Sequence, residues 1–181
     1  MEWYNPAPTV LFDGDHIHVV TAPKSDFWRT THYGYVRDNG HFYFQPVLGD
    51  FLAEVKVSGG YKDRYDQAGL MMRIDEMNWL KCGIEYFDDV QHASVVVTRE
   101  FSDWSVTPLP HNPSSVWFRL TRDGDTLQVF YSPDGQNYEL LRLGYLPPTL
   151  SVQVGIMCAS PDGEGFPVTF EGFKIRSLQP L

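Results

Sequence analysis

The chain has 181 residues, enough for one all-β domain that buries roughly two-thirds of its unfolded surface. Its net charge of −9, from 14 basic and 23 acidic residues, argues against the Lys- and Arg-rich footprint of a nucleic-acid binder. No apolar run approaches the roughly 18 residues of a membrane span, and Met1 to Pro6 shows no basic stretch leading into an apolar one. A cytoplasmic protein without a membrane partner is therefore expected.

Taken in order, residues 1–15 are rich in Pro, Asp and Gly, with little alternation, and are expected along a sheet edge. His16 to Ala22 alternates as a first strand. Asp26-Phe-Trp-Arg29 reads as a polar loop, and Asp38-Asn-Gly40 as a turn into a strand over Phe42 to Val47. Phe51 to Ser58 places Phe51, Ala53, Val55 and Val57 on one face, and Gly59-Gly60 ends it.

Residues 66–86 form the most informative stretch, two alternating runs around the polar turn Asp75 to Trp79. Pairing Ile74 with Leu80 puts Met72/Cys82, Leu70/Ile84 and Ala68/Tyr86 on a core face. The other face then carries Arg73/Lys81, Met71/Gly83 and Gly69/Glu85. A slip of one residue would mix the faces, so the pattern selects this parity. Two cations directly opposed destabilise a sheet. Each therefore needs an anion, for which Asp66, Asp75, Glu100 and Asp103 are the candidates, or else a bound phosphate or carboxylate.

Beyond Tyr86, Ala93 to Thr98 extends the same sheet, with Ile84 facing Val95, Cys82 facing Val97 and Glu85 facing Ser94. Ser102 to Ser105 opens a further strand. A hairpin around Arg122 to Asp125 pairs Leu120 with Leu127 and Phe118 with Val129. Tyr138 to Leu143, Val152 to Cys158 and Val168 to Ile175 close the chain. Roughly twelve short strands with frequent turns and no helical period predict an all-β fold, a two-sheet antiparallel β-sandwich or jelly roll spanning 1–181 as a single domain. Cys82 and Cys158 lie in apolar strand patterns and read as buried reduced thiols.

The polar face supplies the candidate site. Arg73, Lys81, Glu85 and Arg119 fall on non-core positions, and Trp28, Trp104 and Trp117 could line the same surface. Stacking rings beside hydrogen-bonding groups hold ring-shaped ligands. Glu85 is the one carboxylate on that face of the hairpin, so an acid or base role falls to it if there is catalysis. Paired-carboxylate glycosidases need a second one nearby. His16-x-His18 lacks a third ligand at motif spacing, so no metal is expected. No phosphate loop, nucleophile elbow or Cys-x-x-Cys occurs, and no cofactor is implied.

Four segments carry a resemblance: Asp66-Gln-Ala-Gly-Leu-Met-Met-Arg-Ile-Asp75, Trp79-x-Lys-x-Gly-Ile-Glu-Tyr86, Ser94-Val-Val-Val-Thr98 and Ser102-Asp-Trp-Ser105. Together they resemble an uncharacterised family of regulation-of-enolase-like proteins with a concanavalin A-like lectin/glucanase fold. The resemblance implies two curved antiparallel sheets and a link to a metabolic-enzyme partner. More loosely, Gln67-Ala-Gly-Leu70 and Tyr131-Ser-Pro-Asp-Gly-x-x-Tyr138 are similar to accessory sandwich domains of glycoside hydrolases. Three functions follow as expectations. The first is a non-catalytic module binding a saccharide or sugar phosphate. The second is a carbohydrate hydrolase or isomerase using Glu85. The third is a protein partner that modulates a metabolic enzyme.

Overall fold

The computed structural model describes residues 1–178, so the expected range 1–181 ends in residues outside the described ones. The N-terminal region makes β1 (Glu2–Tyr4), β2 (Thr9–Asp13) and β3 (His16–Val20), and then a short ribbon of β4 (Phe27–Arg29) and β5 (Val36–Asp38). Next come β6 (His41–Leu48), β7 (Phe51–Gly59), β8 (Gln67–Arg73), β9 (Asn78–Phe87), β10 (Val90–Arg99) and β11 (Phe101–Pro108). The chain closes with β12 (Val116–Asp123), β13 (Thr126–Ser132), β14 (Glu139–Tyr145), β15 (Ser151–Ala159) and β16 (Pro167–Ser177).

Two seven-stranded antiparallel sheets stack face to face, ordered β1-β6-β15-β8-β9-β10-β11 and β14-β13-β12-β7-β16-β3-β2. The fold is thus the expected all-β sandwich. Residues 1–15 do lie at the edges, but as strands: β1 borders the first sheet and β2 the second. Among the described residues no helix is long and apolar enough to cross a membrane.

The core between the sheets takes Leu70, Met72, Leu80, Cys82, Ile84 and Val95 from the first and Val55, Val57, Phe118, Leu120, Val129 and Phe170 from the second. Every one of these side chains is essentially removed from water. Cys82 and Cys158 are free thiols in this core, and burial raises the Cys82 thiol to about 12, so neither is a nucleophile at neutral pH. The first sheet is covered on its outer side as well. Phe27 from the β4–β5 ribbon joins Phe42, Phe44, Met71, Trp79, Val96 and Met157 in a second apolar cluster. Asp26 to Arg29, expected as a polar loop, therefore enters a strand whose Phe27 is wholly buried.

The expected pairings keep their faces but shift by two residues. Met72 pairs with Leu80, Leu70 with Cys82 and Ala68 with Ile84. The reason lies in the turn: Asp75 Oδ1 accepts from the Met77 and Asn78 amides at 2.8 Å each, and the Ile74 amide then reaches Asn78 O at 2.9 Å. An Asx-type turn thus closes the loop early. Between β9 and β10, Asp88 and Asp89 both adopt positive φ (52° and 61°) in a two-residue turn, so Ile84 meets Ala93 and Cys82 meets Val95. In the β12–β13 hairpin Leu120 meets Val129 and Phe118 meets Tyr131 around a turn at Gly124 and Asp125.

This register corrects the opposed-cation reading. Arg73 faces Trp79, and Lys81 lies between Met71 and Val96, so no like charges are opposed.

Candidate ligand cleft

On the outer side of the first sheet a cleft of about 330 Å³ opens between the β4–β5 ribbon and β11. One wall is the ribbon, which carries Trp28, His32, Tyr33 and Tyr35. Its tip is folded tightly: the Thr30 amide donates to Tyr35 O and the Gly34 amide to Thr30 O, both at 2.7 Å. Tyr33 and Tyr35 stack at 5.3 Å, and Trp28 meets Tyr33 edge-on at 5.8 Å. The facing wall is Tyr65, from the loop before β8, and Trp104 of β11, edge to face at 6.2 Å. The two walls touch where the Tyr33 and Tyr65 hydroxyls share a hydrogen bond of 3.3 Å. Burial and that hydroxyl push Tyr65 up to about 12, so it stays a neutral donor. Arg64, stacked over the Tyr65 ring at 4.8 Å, and exposed Asp162 complete the rim.

The floor is polar and buried. Asp26, Gln67, Lys81 and Glu85 line it. The Lys81 ammonium donates to Gln67 Oε1 at 2.6 Å, Phe27 O at 2.7 Å and Asp26 Oδ1 at 3.3 Å, which accounts for all three of its hydrogens. Asp26 Oδ1 also accepts from the Phe27 amide at 2.8 Å. Glu85 Oε2 accepts from Ser94 Oγ at 2.6 Å and from Trp104 Nε1 at 2.7 Å. Burial raises the Glu85 carboxyl above its ordinary range, while the Lys81 charge and those two donors pull the other way. Among the described residues no hydrogen bond reaches Asp26 Oδ2 or Glu85 Oε1, and neither is a sealed-off atom.

Strand parity explains how the floor forms. Lys81, Gly83 and Glu85 alternate on the outer face of β9, with Gly69 directly across from Gly83. A Cβ on Gly69 would lie 2.0 Å from Cys82 O, and one on Gly83 would lie 2.0 Å from Ala68 O. The backbones approach too closely here for any side chain, which leaves the floor open between Lys81 and Glu85.

Of the expected site residues, Trp28, Lys81, Glu85 and Trp104 converge on this cleft. Three do not. Arg73 stands at the other end of β8, where its guanidinium forks onto Asp38 at 2.7 and 2.9 Å and lies 4.5 Å from the Tyr4 ring centre. Trp117 and Arg119 belong to β12 in the second sheet, so the sandwich separates them from the cleft. Arg119 pairs there with Glu54 at 2.6 Å and stacks on Tyr138 at 3.7 Å. Both hairpin cations do meet carboxylates, but these are Asp26 and Asp38, not the four candidates. Asp66 is bound by Ser160 Oγ, Asp75 caps its turn, and Asp103 pairs with Arg142. His16 and His18 stack at 6.0 Å on β3, and no cluster able to hold a metal forms among the described residues.

Sequence reasoning missed Asp26, Tyr33, Tyr35, Tyr65 and Gln67. All but Gln67 sit in segments without alternation, where strand pattern carries no information about facing. Gln67 opens a strand whose outer face was already assigned, and its pairing with Glu85 was within reach of the correct register.

The comparisons with known proteins bear on the fold and the family. The chain is 38% identical over 175 residues to "Regulation of enolase protein 1" of Saccharomyces cerevisiae, covering 97% of this chain and 88% of that one. A crystal structure of a functionally unknown protein from Saccharomyces cerevisiae superposes with a TM-score of 0.94 at 37% identity, covering 99% of this chain and 96% of the other. The carbohydrate-binding module CBM66 from Bacillus subtilis superposes with a TM-score of 0.62 at 12% identity, over 97% and 95% of the two chains, a likeness of fold alone. A family model matches residues 3–178, and the chain belongs to that family, described as "Protein of unknown function (DUF1349)".

Proposed function

We propose that the chain is a non-catalytic saccharide-binding module whose ligand lies in the cleft between the ribbon and β11. The observation that carries this reading is the pairing of aromatic walls with a buried polar floor. Ring faces of Trp and Tyr cover the apolar C–H side of a sugar ring, and carboxylate, amide and hydroxyl groups take its hydroxyls. The volume of about 330 Å³ is at the small end of ligand pockets, suited to one or two sugar units. CBM66 is by name a carbohydrate-binding module, and the shared fold supports the same use of this chain. The floor also supports a passive role, since Lys81 and Asp26 Oδ1 are consumed in holding one another. The name of the yeast relative supports a second reading, in which the chain acts on a metabolic enzyme.

The test is calorimetric titration of the purified chain with a panel of mono- and oligosaccharides, beside Trp28→Ala. Binding in the micromolar to millimolar range is expected for at least one sugar, weakened about tenfold or more by the substitution. No binding by the parent chain would reject the saccharide reading. Turnover of chromogenic glycosides, lost in Glu85→Gln, would replace the binding module with a hydrolase.

A further inference from the structure

We infer that the cleft selects uncharged, hydroxyl-bearing sugar rings and excludes their phosphate esters, a choice that rests on the saccharide reading above. The floor offers acceptors, not donors. Asp26 Oδ2 and Glu85 Oε1 are the carboxylate oxygens left without protein partners among the described residues. The one buried cation beside them, Lys81, has given its three hydrogens to Gln67, Phe27 and Asp26. A hydroxyl entering the floor donates into either bare oxygen. A phosphate entering the same place meets two carboxylates and finds no free ammonium donor. An anion placed against carboxyl oxygens gains no hydrogen bond from them and is repelled by those that are ionised.

Size argues in the same direction. At Gly83 the floor holds a gap of about 10 Å³, lined also by Gln67, Lys81, Glu85, Ser94 and Met157. That is room for one water-sized atom. A hydroxyl oxygen fits it and a tetrahedral phosphate does not. Arg64, the cation at the mouth, is exposed, lies over the Tyr65 ring and shares the rim with Asp162, so it offers a phosphate no buried pocket.

The experiment titrates the full chain with glucose, galactose, fructose and xylose, with glucose 6-phosphate and fructose 6-phosphate, and with inorganic phosphate. Glu85→Gln is measured in parallel. Its amide oxygen still accepts from Ser94 and Trp104, so the variant folds, while its amide nitrogen turns one bare acceptor into a donor. The expected result is binding of a neutral sugar at least tenfold tighter than of its phosphate ester, no response to inorganic phosphate, and a selectivity ratio that narrows at least threefold in Glu85→Gln. A phosphate ester bound as tightly as its parent sugar, or a rise in melting temperature with inorganic phosphate, would overturn the inference and leave the saccharide reading standing. An unchanged ratio in Glu85→Gln also overturns it, because selectivity would then arise elsewhere. Silence from every sugar, charged and uncharged, rejects the saccharide reading and this inference together.

Discussion

At the scale of single residues, two buried carboxylates respond to pH with opposite sign. Burial raises Glu85 above its ordinary value of 4.5, so the folded chain holds that proton more tightly than the unfolded one. The group therefore costs nothing at low pH, and its penalty grows as pH rises through 4.5 toward the raised value. Urea melts of Glu85→Gln and the parent should coincide near pH 4, with the variant gaining in relative stability toward pH 7. Glu54 behaves in reverse: burial pulls its pKa up, but Lys174, Arg119 and Tyr138 together hold it below 4.5. Its contribution is present above 4.5 and disappears as pH falls through the depressed value. Glu54→Gln should then be destabilising at pH 7, by about 1–3 kcal/mol, and nearly neutral at low pH. Lys81→Met strands Asp26 in a buried site and should cost about 3–5 kcal/mol in the same melts. Adding Asp26→Asn should recover part of that loss, because the pair is coupled.

At the scale of elements, the β4–β5 ribbon carries one whole wall of the cleft and is docked through Phe27. Gly40 makes that docking possible, since a Cβ there would lie 2.4 Å from the Phe27 ring. The Asn39 and Gly40 amides both donate to Asp26 O, at 3.0 and 2.9 Å, so the backbone has little room to retreat. Gly40→Ala should therefore cost about 1–3 kcal/mol in stability, as overpacking does. It should also weaken whatever ligand the parent binds by moving Trp28 and Tyr33, which calorimetry on the same variant would show. An unaltered melting curve would mean that the ribbon adjusts freely and is a poorer wall than the contacts suggest.

At the scale of the molecule, the two sheets share one apolar core and the first sheet is buried on both sides. All seven residues of β8 are buried, and Leu70 at its centre faces the apolar core between the sheets, where no cation is within reach among the described residues. Leu70→Asp should leave the chain unfolded, because an uncompensated buried carboxylate costs several kcal/mol against a total stability of about 5–15 kcal/mol. Loss of the β-type circular-dichroism spectrum and of a cooperative melt would show this.

Sheet parity was legible in the sequence. Alternation in 68–74, 80–85 and 93–97 assigned inner and outer faces correctly, because a strand places side chains with a period of two whatever its partner does, while Tyr86, expected on the core face, lies outside the core at the strand end. Register was less legible. Shifting a strand by two residues preserves every face, so hydrophobic pattern cannot detect it, and the decision fell to the Asp75 turn and to the left-handed Asp88 and Asp89. Lys81, Glu85, Trp28 and Trp104 could be nominated for a site from residue type and facing. Which acids would meet the cations could not: Asp26 and Asp38 are 55 and 35 residues from Lys81 and Arg73. Only the tertiary structure decided that the ribbon holding both acids folds over the first sheet, and that Trp117 and Arg119 face away behind the core. The physical reason is that alternation reports on the two sides of one strand, whereas a cleft is made by segments brought together through burial of side chains such as Phe27, whose partners no local pattern names.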